Sequence, residues 1–179
     1  MNLGWCRRTR PHKCDLAEAT ATHYAAQLGE RHPYAIGARD NVATVMRDLG
    51  EHRVALELSR QAARQMRRAV GRDHPWAIGC AKNEVAALAA VGRTDEAAVL
   101  GREAADRSAR VLGDAHVLTI SLRAGLALDL AELGEREESE ALHQDAVTRL
   151  TSLLGADHPH TRHILERHRP YWDFEPQPI

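Results

Sequence analysis

Leu28-Gly29-Glu30-Arg31-His32-Pro33 returns 42 residues later as Val70-Gly71-Arg72-Asp73-His74-Pro75. It returns again as Leu112-Gly113-Asp114-Ala115-His116-Val117 and as Leu154-Gly155-Ala156-Asp157-His158-Pro159, without drift. A second mark keeps the same step: Leu49-Gly50, Val91-Gly92, Leu133-Gly134. Leu16, Leu58, Leu100 and Leu142 share one column, and Ala62, Ala104 and Ala146 another. So many columns in phase define an internal repeat, and a repeat of this length defines the architecture.

Each unit reads as two helices. Proline suits a first helical position, where its missing N–H is not needed. Glycine at the far end takes the left-handed conformation that closes a helix. The first helix of a unit therefore runs from His-Pro to Leu-Gly, as in 33–49, and the second to the next glycine, as in 52–70. The full set is eight helices over 14–28, 33–49, 52–70, 75–91, 94–112, 117–133, 136–154 and 159–169. No stretch alternates with period two, so no strand is expected. One helix pair cannot bury its apolar face alone. Stacked pairs bury a continuous core and leave a concave face.

A 42-residue step also suits other helical arrays, and the columns decide between them. Asn41-Val42-Ala43, Leu49-Gly50, Ala55 and Ala62 stand at the spacing of the tetratricopeptide pattern, as do Leu126-Ala127, Leu133-Gly134 and Ala146. With its longer second helix and Leu-Gly-x-x-His-Pro linker, the chain resembles the kinesin-light-chain type of tetratricopeptide repeat. It also resembles the arrays that follow NB-ARC-like ATPase modules in actinobacterial regulators. The resemblance covers about residues 14–169 and implies an all-α, right-handed solenoid of antiparallel helix pairs. The expected organisation is an N-terminal segment 1–13, a half-unit 14–28, units 33–70, 75–112 and 117–154, a half-unit 159–169 and a tail 170–179.

Composition sets outer limits. The 179 residues are 44% apolar and 27% charged, with net charge −1. That balance argues against a broad nucleic-acid or membrane-surface patch. No apolar run approaches the ~18 residues of a membrane helix. The sparse, odd cysteines Cys6, Cys14 and Cys80 suggest free thiols and a reducing compartment. No secretory leader is recognisable at the N-terminus, and the expected location is the cytoplasm. Arg greatly outnumbers Lys, a high-GC bacterial coding habit.

Enzyme signatures such as GxSxG, HExxH or a P-loop are absent from the sequence, so neither catalytic residue nor cofactor is expected. The eleven histidines invite a metal reading. His32, His74, His116 and His158 fall one per repeat, too far apart to share an ion, and read as helix-start chemistry. His158, His160, His163 and His168 are closer together, but no cysteine or firmly placed carboxylate completes a site, and no metal is expected.

The resemblance places the first helix of each pair along the groove. It puts Asp40, Asn41, Thr44, Arg47 and Asp48 there from the first unit, Lys82, Asn83 and Ala86 from the second, and Ser121 and Leu128 from the third. In related arrays an Asn in the column of Asn41 and Asn83 holds the backbone of an extended peptide, because an amide both donates and accepts. The third unit has Gly125 instead. Lys82 and Arg47 could hold a carboxylate, though the full basic clamp is missing. Glu84 occupies an apolar column, beside Val42 and Leu126. Either the helix frays there and the side chain reaches water, or Glu84 pairs with Arg39 or Arg123.

The tail, His168–Ile179, reads HRPYWDFEPQPI. Idle disordered tails are poor in aromatics, yet this one carries Tyr171, Trp172 and Phe174 before the terminal Ile179. It should dock in a groove. The leading expectation is an interaction scaffold holding a protein or an extended peptide. A carrier whose tail is recognised or modified in a peptide natural-product pathway, and a sensor for a separate ATPase, remain as alternatives. Open stack ends suggest a homodimer.

Overall fold

The computed structural model of the chain describes residues 11–170. Within them lie eight helices and no strand: α1 (Pro11–Leu28), α2 (Pro33–Asp48), α3 (His52–Val70), α4 (Pro75–Ala90), α5 (Thr94–Leu112), α6 (Val117–Leu133), α7 (Arg136–Leu154) and α8 (Pro159–Leu165). Consecutive helices pack in pairs, and α4 also touches both α2 and α6. These three form the inner layer of an all-α solenoid.

The repeated linker explains the starts of α2, α4, α6 and α8. Nδ1 of His32, His74, His116 and His158 accepts from the backbone N–H two residues on, at 3.1–3.2 Å. This satisfies one of the amides that a helix start leaves without an intrahelical partner. At the far end of α6, Gly134 takes φ 87°, a left-handed cap that a side chain would disfavour.

Small residues hold the layers close. Ala62, Ala104 and Ala146 are all buried. Ile36, Met66, Ile78, Ile120 and Leu150 fill the space between them. The leucine column lies nearer the edge: Leu58, Leu100 and Leu142 are half-buried and Leu16 is exposed.

Several expectations are corrected. α8 ends at Leu165, not at 169, because Arg167 turns to φ 56° and breaks the helical path before Pro170. Helix α4 runs unbroken through Glu84, so the register does not fray. Glu84 does form ion pairs, but with Arg60 (3.5 Å) and Arg67 (4.0 Å) of α3. Its side chain turns toward the partner helix of the preceding unit. Arg39 is engaged by the Glu30 carbonyl and Gln65, and Arg123 by Asp114 and Asp145. Burial raises the Glu84 pKa, while Arg67 and Arg60 draw it back. Finally, Cys14 is disulfide-bonded, whereas Cys80 is free and buried. An odd count is a statistical guide that does not see which cysteines meet. One support for a reducing compartment falls with it. None of the described helices is long and apolar enough to cross a membrane.

Candidate functional site

Most of the residues expected along the groove are more deeply buried than a peptide-lining surface read from sequence would be. Asp40, Thr44, Lys82, Asn83 and Ala86 are all buried, with Ser121 at the margin. Asn41, Arg47 and Leu128 are half-buried, and Asp48 is exposed. Tyr171, Trp172, Phe174 and Ile179 lie outside the described residues.

Two constellations emerge. The first joins α2 to α4. Asn83 Nδ2 donates to Asp40 Oδ2 at 2.9 Å, while Asp40 Oδ1 has no hydrogen-bond partner among the described residues. Complete burial lifts the Asp40 pKa from 3.8 to about 7, against the pull of Asn83, the neighbouring Cys80 thiol and the more distant Arg47. Burial, then the Asp40 charge, pushes the Cys80 thiol well above its ordinary range. Thr44 Oγ1 turns back to the Asp40 carbonyl at 3.4 Å. Of the residues expected to hold a peptide, Asp40 and Asn83 thus hold each other.

The second constellation forms where the chain comes back after α8. Buried Lys82 donates from Nζ to the Pro170 carbonyl at 2.7 Å. His163 Nε2 donates to the Arg169 carbonyl at 3.2 Å. The Arg169 guanidinium forms a two-pronged pair with Asp129 of α6: one nitrogen donates to Oδ2 at 3.2 Å and the other meets Oδ1. Its Nη1 also donates to the Gly125 carbonyl at 3.4 Å. The Asp129 side chain is fully buried against a 23% exposed Arg169 side chain. Burial raises the Asp129 pKa, and the hydrogen bond and charge of Arg169 oppose this.

Lys82 therefore holds a main-chain carbonyl. Arg47 lies against Asp48 at 3.3 Å instead of joining it. Asp129, Arg169 and His163 were missed as groove residues. The signal was present: Asp129 is the one acid inside the otherwise apolar Leu126–Leu130 run, and it stands one turn beyond the anomalous Gly125. No set of three His, Cys, Asp or Glu side chains gathers into a possible metal site among the described residues. His158 and His160 stack at 5.3 Å between centroids. Burial, with His158 and Lys82 nearby, lowers the His160 pKa.

The family model described as tetratricopeptide repeat matches residues 36–75, 85–118 and 119–160, more than half of the chain. The chain belongs to the tetratricopeptide-repeat family. The array is similar in fold to BtubC (BKLC) from P. vanneervenii, with TM-score 0.69 and 19% identity, over 86% of this chain and 61% of that one. It is similar also to a protein from Podosopora anserina described as a kinesin light chain with nearly identical TPR-like repeats. There the TM-score is 0.67 and the identity 22%, over 86% of this chain and 74% of that one. This array thus spans less than two thirds of the BtubC chain. No curated protein matches it in sequence. Tetratricopeptide repeats are in general non-catalytic scaffolds for protein–protein interaction.

Proposed function

We propose that the array binds an extended peptide segment of a partner protein along α2, α4 and α6. One observation carries this reading: the buried Lys82 ammonium donates to a main-chain carbonyl, that of Pro170, in a non-helical stretch of chain. A lysine that holds backbone takes many sequences in the same extended path. Burying an ammonium is costly unless it is paired, so a groove built this way favours an occupant that brings carbonyls to it. The resident segment 168–170 is then the occupant that a partner displaces, and the aromatic tail beyond Pro170 extends the same path. The exposed Leu16 of α1 and Leu165 of α8 belong, on this reading, to stack ends that pair with a second copy.

The test is a selection of extended peptides from a random library on the full chain. Selected binders should weaken at least tenfold with Lys82→Met and stay within twofold with Val99→Ser on the outer face of α5. Binders that ignore Lys82 and are lost with Val99 would place recognition on the convex side and end the groove reading.

A further inference from the structure

We infer that the notch between Gly125 and Asp129 is an arginine-selective subsite of this groove. It takes one arginine of an extended partner segment, while His163 holds that residue's carbonyl and Lys82 the next one. The inference rests on the groove reading and adds what kind of segment is recognised.

Geometry selects arginine. Both guanidinium nitrogens of the resident Arg169 face the two Asp129 oxygens, and one of them also reaches the Gly125 carbonyl. A planar fork can meet three acceptors at once, whereas a lysine ammonium is a single point of charge. Burial selects a cation: the Asp129 side chain is wholly buried, and Arg169 is its one ion-pair partner among the described residues. A buried carboxylate without such a partner is costly.

The repeat itself shows that the notch is particular to the third unit. Its column carries Asn41 and Asn83 in the other two units and Gly125 here. A Cβ at 125 would already lie 3.5 Å from Arg169 Nη1. An asparagine would extend further, into the space the guanidinium fills. The glycine that interrupts the amide ladder therefore opens a pocket, and Asp129, one helical turn on, supplies its charge.

Backbone contacts set the register. The carbonyls of two successive residues, 169 and 170, are taken by His163 and Lys82. A proline after the arginine suits this path, because it favours extended chain and brings no N–H to satisfy. The segment recognised is thus an extended one carrying Arg-Pro, of which Arg169-Pro170 is the internal copy.

The experiment uses the full chain with Arg169→Ala, which removes the resident side-chain anchor and so weakens the hold of the segment that an added peptide displaces by mass action. Labelled peptides copying residues 166–179 are titrated by fluorescence anisotropy, with Arg, Lys or Ala at the position of Arg169. The Arg peptide should bind at least tenfold more tightly than the other two. Adding Gly125→Asn, or Asp129→Asn, should bring all three within twofold of each other. Circular dichroism checks that each variant is folded. Gly125→Asn serves where Asp129→Asn is not, since it leaves the buried carboxylate unchanged. Equal binding of the three peptides, still sensitive to Lys82→Met, would overturn the subsite and leave the groove reading standing. Arginine preference that survives Gly125→Asn would likewise overturn it. Absence of binding by every peptide would overturn both.

Discussion

Replacing Asp40 by asparagine should stabilise the protein above neutral pH and do little near pH 5. The Asp40 pKa rises from 3.8 to about 7 in the folded chain because the carboxyl is completely buried. Well below pH 4 it is protonated in both states and adds no pH dependence. Between pH 4 and pH 7 the folded state keeps a proton that the unfolded chain has released, so stability falls as pH rises. Above pH 7 the penalty is complete, at most about 4 kcal/mol from a shift of roughly three units at 1.36 kcal/mol each. Asparagine keeps an oxygen for Asn83 Nδ2, which now donates to Asp40 Oδ2. It also puts an NH2 where Asp40 Oδ1 has no partner among the described residues, at a cost of about 1 kcal/mol. The expected gain at pH 8 is therefore about 2–3 kcal/mol, or a Tm about 5–10 °C higher for a chain of this size. Arg47 and Glu84 also act on the carboxyl, and their opposing effects are already contained in the raised pKa. Thermal melts followed by circular dichroism from pH 4.5 to 8.5, at fixed ionic strength, measure that difference. A gap between the two proteins that does not widen with pH, or a less stable Asp40→Asn at pH 8, would refute the reasoning.

Leu100→Ala should cost about 1–2 kcal/mol, below the usual cost for a core leucine because Leu100 is only half-buried. Ala104→Leu should cost about 1–3 kcal/mol by overpacking a nearly closed helix contact; chemical denaturation measures both. The protein should self-associate through its apolar ends, and Leu16→Glu or Leu165→Glu should shift it toward monomer. A monomeric mass by light scattering at high micromolar concentration, before any substitution, would contradict this.

The fold could be read from the sequence because the repeat states it several times. His-Pro or His-Val marks the starts of α2, α4, α6 and α8, and a glycine follows within two residues of the end of every helix from α1 to α7; these signals act within a few residues, so no knowledge of tertiary structure is needed. The site was less legible because its contacts cross the repeat. Glu84 was seen to be out of place among Val42 and Leu126, but column comparison names the odd residue without naming its partner; the partners came from α3. Gly125 was seen as a gap in an amide ladder. That it makes room for Arg169 depends on the chain turning back at Arg167, and a single left-handed residue outside glycine has no sequence signature. Asp40 and Asn83 were assigned to the groove from their columns, but their bond to each other follows from how closely α2 and α4 approach.

In a helical array each unit ordinarily contacts only the next, so the chain can unravel from its ends one unit at a time. Here the Lys82–Pro170 bond spans 88 residues and the Arg169 contacts to α6 span 40 and 44. They stitch the last turn of the chain to its middle and turn neighbour-by-neighbour stability into a more collective property. α7 and α8 cannot peel away while that stitch holds, because their loss would also uncover the middle of the array. An occupant that replaced residues 168–170 would cut the stitch from the inside. The last unit would then be free to open by itself, and occupancy of the groove would be felt as a change in how the C-terminal end unfolds.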